Sequence, residues 1–261
     1  MKKSETINYI TNWIQDYHNK NKVEGLVIGV SGGIDSALTS TLCALTGLKT
    51  LCLNMPIRQQ EKQFIRASKH IKWLKNKYNN VNSINIDLTP FFEKFQSTVD
   101  TNAEKSELAL ANSRSRMRML TLYYYAGINN SIVVGTGNKV EDFGIGFYTK
   151  YGDGGVDISP VADLMKSEVF ELSKHLKIND DILNAPPTDG LWDDDRNDED
   201  QIGVSYEDLE NIMLRLEKGE DPKGFSNKIK SYYEIYMGHY NANKHKMVEI
   251  PVCKIPSKLK L

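Results

Sequence analysis

The sequence has little cysteine, no long apolar run and no surplus of either charge, and each shortage removes a class of protein. Its three cysteines, Cys43, Cys52 and Cys253, show no C-x-x-C spacing, so neither a disulfide framework nor a thiolate zinc site is indicated. No segment approaches the run of about 18 apolar residues that a bilayer span needs, and a membrane role is excluded. Met1-Lys2-Lys3-Ser4-Glu5 leads straight into an amphipathic segment and lacks the apolar stretch of a signal peptide. A cytoplasmic, reducing location is expected. Lys and Arg number 33 against 34 Asp and Glu, a net charge of −1. A dedicated nucleic-acid binder carries a basic excess to displace counterions from phosphate, so no nucleic-acid partner is expected. The two common nucleotide fingerprints, G-x-x-x-x-G-K-[ST] and G-x-G-x-x-G, are absent as well.

What is present is the composition of an ordinary globular chain: 261 residues, 40% apolar, 26% charged, with 18 Gly and 8 Pro. At roughly 100–200 residues per domain, 1–261 reads as a single domain with a helical portion from about residue 166. Ile7, Ile10, Trp13, Ile14 and Tyr17 share one helical stripe. Leu26–Val30 is a short continuous apolar run, the form of a strand buried on both faces. A helix over Ser36–Leu45 follows, stopped by Gly47. Thr50–Met55 reads as a strand, Gln60–Tyr78 as a helix, Ser83–Leu88 as a third strand, about Ala103–Tyr125 as a long helix and Ser131–Gly135 as a fourth strand. Strands separated by helices imply an α/β fold, a doubly wound parallel sheet with flanking helices, whose ligands sit beyond the carboxyl ends of the strands. Helices are then expected at Ser167–Leu176, Tyr206–Lys218 and Lys228–Asn241. Between them Trp192–Asp200 carries six acidic residues in nine; a solvated loop is the first reading of such a run and a mobile lid the second. No internal repeat is visible.

The strongest chemical signal is Ser31-Gly32-Gly33-Ile34-Asp35-Ser36, set between a buried strand and a helix. Adjacent glycines allow a tight turn with exposed N–H groups, and the serines and the helix N-terminus add donors and positive dipole. Such a loop can cradle a pyrophosphate. Asp35 repels phosphate unless a cation lies between them, which makes Mg²⁺ the natural companion. The plainer reading is a strand-to-helix turn with Asp35 stabilising the helix dipole.

S-G-G-x-D-S resembles the pyrophosphate loop of the adenine nucleotide α-hydrolase superfamily, a Rossmann-like fold whose members cut ATP to AMP and pyrophosphate while adenylating an acceptor. Asn112–Met117, Val134–Glu141, Gly146–Pro160 and His245-Lys246 resemble the NAD synthetase family, over nearly the whole chain. The resemblance implies a ligase that adenylates the nicotinate carboxylate of deamido-NAD with ATP, after which ammonia displaces AMP. It implies that Gly29, Val30, Ser31, Gly32, Gly33, Ile34, Asp35 and Ser36 hold the ATP phosphates and that Thr136 and Thr188 contact ATP. Lys166 would neutralise charge as pyrophosphate leaves, and Asp35 and Glu141 would ligate Mg²⁺. Arg116, Lys150, Asp157, His245 and Lys246 match contacts to deamido-NAD, and Asp153 is a partner for the nicotinoyl end or for ammonia. The family is dimeric, which implies a homodimer, and the apolar surface of Ala103–Tyr125 agrees with one. Only about 25 residues precede the first strand, so no glutaminase domain is expected and free ammonia is the nitrogen donor. Thr188–Asp200 is expected to order as a lid over the reactants.

Without the resemblance, Arg114 and Arg116 read as surface charges and His245 as an exposed histidine. Lys166 is unfavourable so near a helix start and calls for an anion. The other functional readings are a different amidating or thiolating ATP-pyrophosphatase, nicotinate mononucleotide as the preferred substrate, and a non-catalytic adenine-nucleotide binder. Two departures stand out. Glu141 and Lys150 are nine apart where the short ammonia-dependent enzymes have eight, leaving the register of residues 142–146 open. The residues after His245 also lack the usual basic continuation.

Overall fold

Four short apolar strands pair in parallel in the computed structural model, which describes residues 1–99, 103–188, 190–191 and 197–260, the side chains of 103–105 excepted. They are β1 (Gly25–Gly29), β2 (Lys49–Asn54), β3 (Val81–Asn85) and β4 (Ser131–Val134), in the order β3-β2-β1-β4. Ile28 of β1 lies beside Cys52 of β2 on one flank and Val134 of β4 on the other. Alternation along the strands sends Val27, Leu53 and Val133 to one face and Leu26, Ile28, Cys52, Ile132 and Val134 to the other. The first face is covered by α4 (Thr89–Thr98) and α5 (Ala103–Ile128), through Phe92, Met117 and Ala126. The second is covered by α1 (Lys3–Asn21), α2 (Ile34–Leu45), α3 (Glu61–Lys77), α6 (Lys166–His175) and α7 (Asp180–Leu183). The sheet is therefore doubly wound, as its alternating pattern requires. Among the described residues no helix is long and apolar enough to cross a membrane.

Chain order places the site. β1 is followed by β2 on one flank, and the chain returns to the other flank only at β4, so the order reverses between β1 and β4. Open sheets bind ligands in the crevice at such a switch point, and the loops at 30–33 and 135–139 leave the two strands there.

The expected elements are present with shifted ends. β3 stops at Asn85 rather than Leu88 because Asp87 turns the chain: its carboxylate accepts Thr89 N–H at 2.9 Å and opens α4. α4 is not among the elements expected from the sequence; its apolar anchor is the fully buried Phe92. The long helix extends to Ile128, and the last one, α10 (Asn227–Met247), is longer at both ends than Lys228–Asn241.

Past the sheet, α8 (Asp198–Ile202), α9 (Tyr206–Glu217) and α10 form a second core around Val140, Ile145, Met165, Leu209 and Ile212. Residues 192–196 of the acidic run lie outside the described residues. Its end is not a solvated loop, since Asp198 is buried at the start of α8. Val140–Ile145 forms a π-helix, closed by Gly146 N–H on the Glu141 carbonyl. A turn with one residue more than an α-helical turn is closed in this way.

One core residue carries a pH signature. His70 on α3 is fully buried, shares a 3.0 Å hydrogen bond between its Nε2 and the Ser40 hydroxyl, and stacks on Trp73. Burial lowers its pKa to about 4. The unfolded chain therefore takes up the proton first, so the contribution is complete above about pH 6.5 and is lost as pH falls toward 4, to a total of about 3 kcal/mol. Urea unfolding of wild type and His70→Gln should show a stability difference that shrinks from pH 7.5 to pH 4.5; a constant difference would rule out the buried neutral histidine.

Candidate active site

The loop after β1 is held shut by its own side chains. Gly32 has φ +86°, and a Cβ on it would lie 2.8 Å from the Gln63 carbonyl oxygen and 3.0 Å from the Ala67 nitrogen; both the turn and the approach of α3 demand glycine. Ser36 Oγ accepts Ser31 N–H at 3.2 Å and donates to the Gly33 carbonyl at 3.0 Å, while Ser31 Oγ accepts Gly33 N–H at 3.2 Å. No side chain caps α2, so its first-turn N–H groups face the crevice available to an anion.

Three elements meet at one ammonium group. Lys166 Nζ, on the first residue of α6, lies 2.7 Å from Asp35 Oδ2 on α2 and 2.9 Å from Glu141 Oε1 on the π-helix. Only 5% of its side chain is exposed. Two carboxylates thus justify a cation at a helix N-terminus. Asn138, fully buried, ties the pair together: its Nδ2 donates to Asp35 Oδ1 at 3.0 Å, and its Oδ1 accepts the N–H groups of Val140 and Glu141 at 3.1 Å. Tyr206 OH donates to Glu141 Oε1 at 2.6 Å, and its ring lies 4.9 Å from Lys166 Nζ in cation–π contact.

The electrostatics follow from one cation serving two anions. Burial raises the Asp35 pKa against the pull of Lys166. Burial also opposes ionisation of Glu141, but Lys166 and the Tyr206 hydroxyl outweigh it and hold Glu141 below its usual range. Lys166 stays charged because the two carboxylates overcome its desolvation. The triad keeps a surplus of negative charge, which a further cation can neutralise. Two adjacent carboxylates suit Mg²⁺, which takes one or two protein carboxylates plus substrate phosphates and water.

Around the triad, one cleft is lined by Gly29, Val30, Ser31, Gly33, Ile34, Asp35 and Ser36, and by Thr136, Glu141, Asp153, Lys166 and Thr188. Asp153 sits in an exposed loop with its carboxylate turned inward, accepting Ser115 Oγ–H at 2.7 Å and Thr149 N–H at 2.9 Å on Oδ1. Arg116, Lys150 and His245 are brought together outside that lining. Arg116 donates to the Lys150 carbonyl at 3.3 Å and Lys150 Nζ to the His245 carbonyl at 3.2 Å. Lys246 is turned onto the carbonyls of Gly146 and Tyr148. Asp157 accepts Val133 N–H at 2.7 Å and Tyr123 OH at 3.0 Å, fixing the edge beside β4. Arg114 is no surface charge: it is buried, donates to the Leu191 carbonyl at 2.9 Å and stacks over Phe92. Asn138, Tyr206 and Asp142 are not among the site residues expected from the sequence. Asn138 lies three residues before Glu141 in a segment already singled out, whereas Tyr206 reaches Glu141 from 65 residues away and left no local signal.

The geometry can be set beside known proteins. The family model described as NAD synthase matches residues 6–249. The NH(3)-dependent NAD(+) synthetase of Mycoplasma genitalium is 37% identical over 206 residues, 78% of this chain and 80% of that protein. Its counterpart from Syntrophomonas wolfei is 33% identical over the full length of both. Among solved structures, the NMN synthetase of Francisella tularensis superposes with a TM-score of 0.83 at 32% identity, covering 98% of this chain and 99% of that one.

Replacing Lys166 by Met strands two buried carboxylates, and unfolding stability should fall by about 3–5 kcal/mol at pH 7.5. Adding Asp35→Asn to that variant should restore part of the loss. Urea denaturation of both single variants and the double variant measures the coupling, and strictly additive losses would show that the triad is not one unit.

Proposed function

The chain belongs to the NAD synthase family, and on that premise we propose that its cleft joins ammonia to the nicotinate carboxylate of deamido-NAD, with ATP cleaved to AMP and pyrophosphate. The observation that carries this reading is the Asp35–Lys166–Glu141 triad at the mouth of the phosphate-type loop. It sits at the switch point of the sheet.

In this reading the N–H groups of the 31–36 loop and the first turn of α2 bind the ATP phosphates, with Thr136 and Thr188 lining the same cleft. The residues that would hold Mg²⁺ are Asp35 and Glu141. When bound there, the ion neutralises phosphate charge while pyrophosphate departs. Lys166 presents its ammonium to the same charge, with Asn138 and Tyr206 fixing the two carboxylates on either side. Arg116, Lys150, His245 and Lys246 supply a basic rim next to the Gly146–Asp153 segment, suited to the phosphates of the dinucleotide, and Asp157 offers a carboxylate to ribose hydroxyls. Asp153 faces the position of the nicotinoyl carboxylate or its nitrogen nucleophile. Thr188, Gly190, Leu191 and Asp198 line the cleft, and a lid over 188–200 would keep water from the acyl adenylate.

We also propose a homodimer in the cytoplasm. Leu120, Tyr124 and Ile128 stand 56%, 62% and 62% exposed at four-residue spacing on α5, one apolar stripe open to a second copy. Cys43, Cys52 and Cys253 are all free thiols, which fits a reducing compartment.

A second reading, amidation of nicotinate mononucleotide, is favoured by the fit to the Francisella tularensis protein. Purified protein with ATP, Mg²⁺, ammonium and either nucleotide, analysed by mass spectrometry, should give NAD from deamido-NAD with the higher kcat/KM. A preference for the mononucleotide decides for the second reading, and no amide from either overturns both. Asp35→Ala and Glu141→Ala should each lower ATP–pyrophosphate exchange at least a hundredfold, corresponding to about 3 kcal/mol of lost transition-state stabilisation. Full activity in either at millimolar Mg²⁺ removes the metal assignment. Glutamine in place of ammonium should give no product.

A further inference from the structure

The helix that carries Lys166 is held at its start by a carboxylate from another helix. Met165 precedes α6, where Ser, Thr, Asp or Asn commonly supplies the capping oxygen. Glu210 of α9 supplies it instead: its Oε1 accepts Ser167 N–H at 2.8 Å and its Oε2 accepts the Ser167 hydroxyl at 2.6 Å. Both oxygens thus go to the residue next to Lys166. Glu210 is buried, and it lies outside the lining of the cleft, as Ser167 does. A helix N-terminus disfavours the Lys166 ammonium and favours a carboxylate, so Glu210 also offsets the charge that α6 carries at its first residue.

The same face of α9 reaches the other side of the triad. Tyr206 lies four residues before Glu210, one turn along the helix, and donates to Glu141 Oε1 at 2.6 Å. The start of α9 is itself fixed, since Ser205 Oγ accepts Asp208 N–H at 3.2 Å, and Leu209, Ile212 and Met213 bury the helix in the second core. A single anchored element therefore holds both partners of one ion pair, Glu141 by its carboxylate and Lys166 through its neighbour. Any slip of α6 along α9 would lengthen the 2.7 and 2.9 Å contacts that Lys166 makes with Asp35 and Glu141.

We propose that Glu210 is a positioning residue for the reaction: through Ser167 it sets where α6 presents the Lys166 ammonium to the departing pyrophosphate. The proposal rests on the ligase reading above and adds to it a residue outside the cleft.

Glu210→Ala, Glu210→Gln and Ser167→Ala test it in ATP–pyrophosphate exchange with deamido-NAD or nicotinate mononucleotide, with kcat expressed per folded molecule by circular dichroism. In Glu210→Ala kcat should fall at least about tenfold while the KM values for ATP and the nucleotide stay within about twofold, because a displaced ammonium is felt in the transition state rather than in binding. Glu210→Gln keeps an oxygen for Ser167 N–H and an amide for its hydroxyl, and should return kcat to within about threefold of wild type. A folded Glu210→Ala with wild-type kcat overturns the assignment and leaves Glu210 a strut between two helices. KM values that rise at unchanged kcat overturn it too, as does a Gln variant as slow as the Ala variant. If Glu210→Ala does not fold, Ser167→Ala decides: it gives up the hydroxyl bond and keeps the backbone one, so kcat should fall about threefold at unchanged KM, and wild-type kcat overturns the assignment. Absence of exchange in wild type fails the ligase reading instead, so the two failures are distinguishable.

Discussion

One buried ammonium group between two carboxylates organises this molecule. Asp35 arrives on the helix after β1, Glu141 on the π-helix after β4 and Lys166 on the first residue of α6. A lone charge at any of these places would be costly. Together they fix the mouths of two strand loops against each other, so that the crevice between β1 and β4 has a defined floor. The trio carries two carboxylates to one ammonium, so its surplus charge is negative.

Much of this was legible because it is local. The glycine loop, its serines and Asp35 are six consecutive residues, and the alternation of apolar runs and helical stripes dictates a parallel sheet. Strand ends were less legible, since a side chain such as Asp87 terminates a pattern that hydrophobicity alone would continue. The triad was readable residue by residue but not as a triad: nothing in the spacing of 35, 141 and 166 says that one amine bonds both carboxylates. Asn138 and Tyr206 were invisible for a related reason. Their part is to satisfy the unused oxygens and amides of residues already chosen, and that demand exists only once the fold has assembled.

The C-terminal helices have a clearer role in the structure than in the sequence. Asn243 Nδ2 donates to the Ile145 carbonyl at 2.9 Å, and Lys246 meets the carbonyls of Gly146 and Tyr148. These are the carbonyls left open where the π-helix ends. A π-turn is a poor helix and exists only if its surroundings hold it. Here α10 clamps it from one side, Tyr206 of α9 from another, and Val140 and Ile145 anchor it in the second core. The helical portion thus acts on the chemistry at a distance, by keeping Glu141 and Asp142 aimed inward.

That arrangement also explains why the empty site is stable enough to exist. Lys166 satisfies Asp35 and Glu141 with no ligand present, so the protein compensates the charge of this pair in large part internally. Internal compensation lowers affinity for whatever replaces it, because a ligand must break those contacts before it gains its own. The trio already carries more negative than positive charge, so an anionic ligand beside it is accommodated only in company with a further cation.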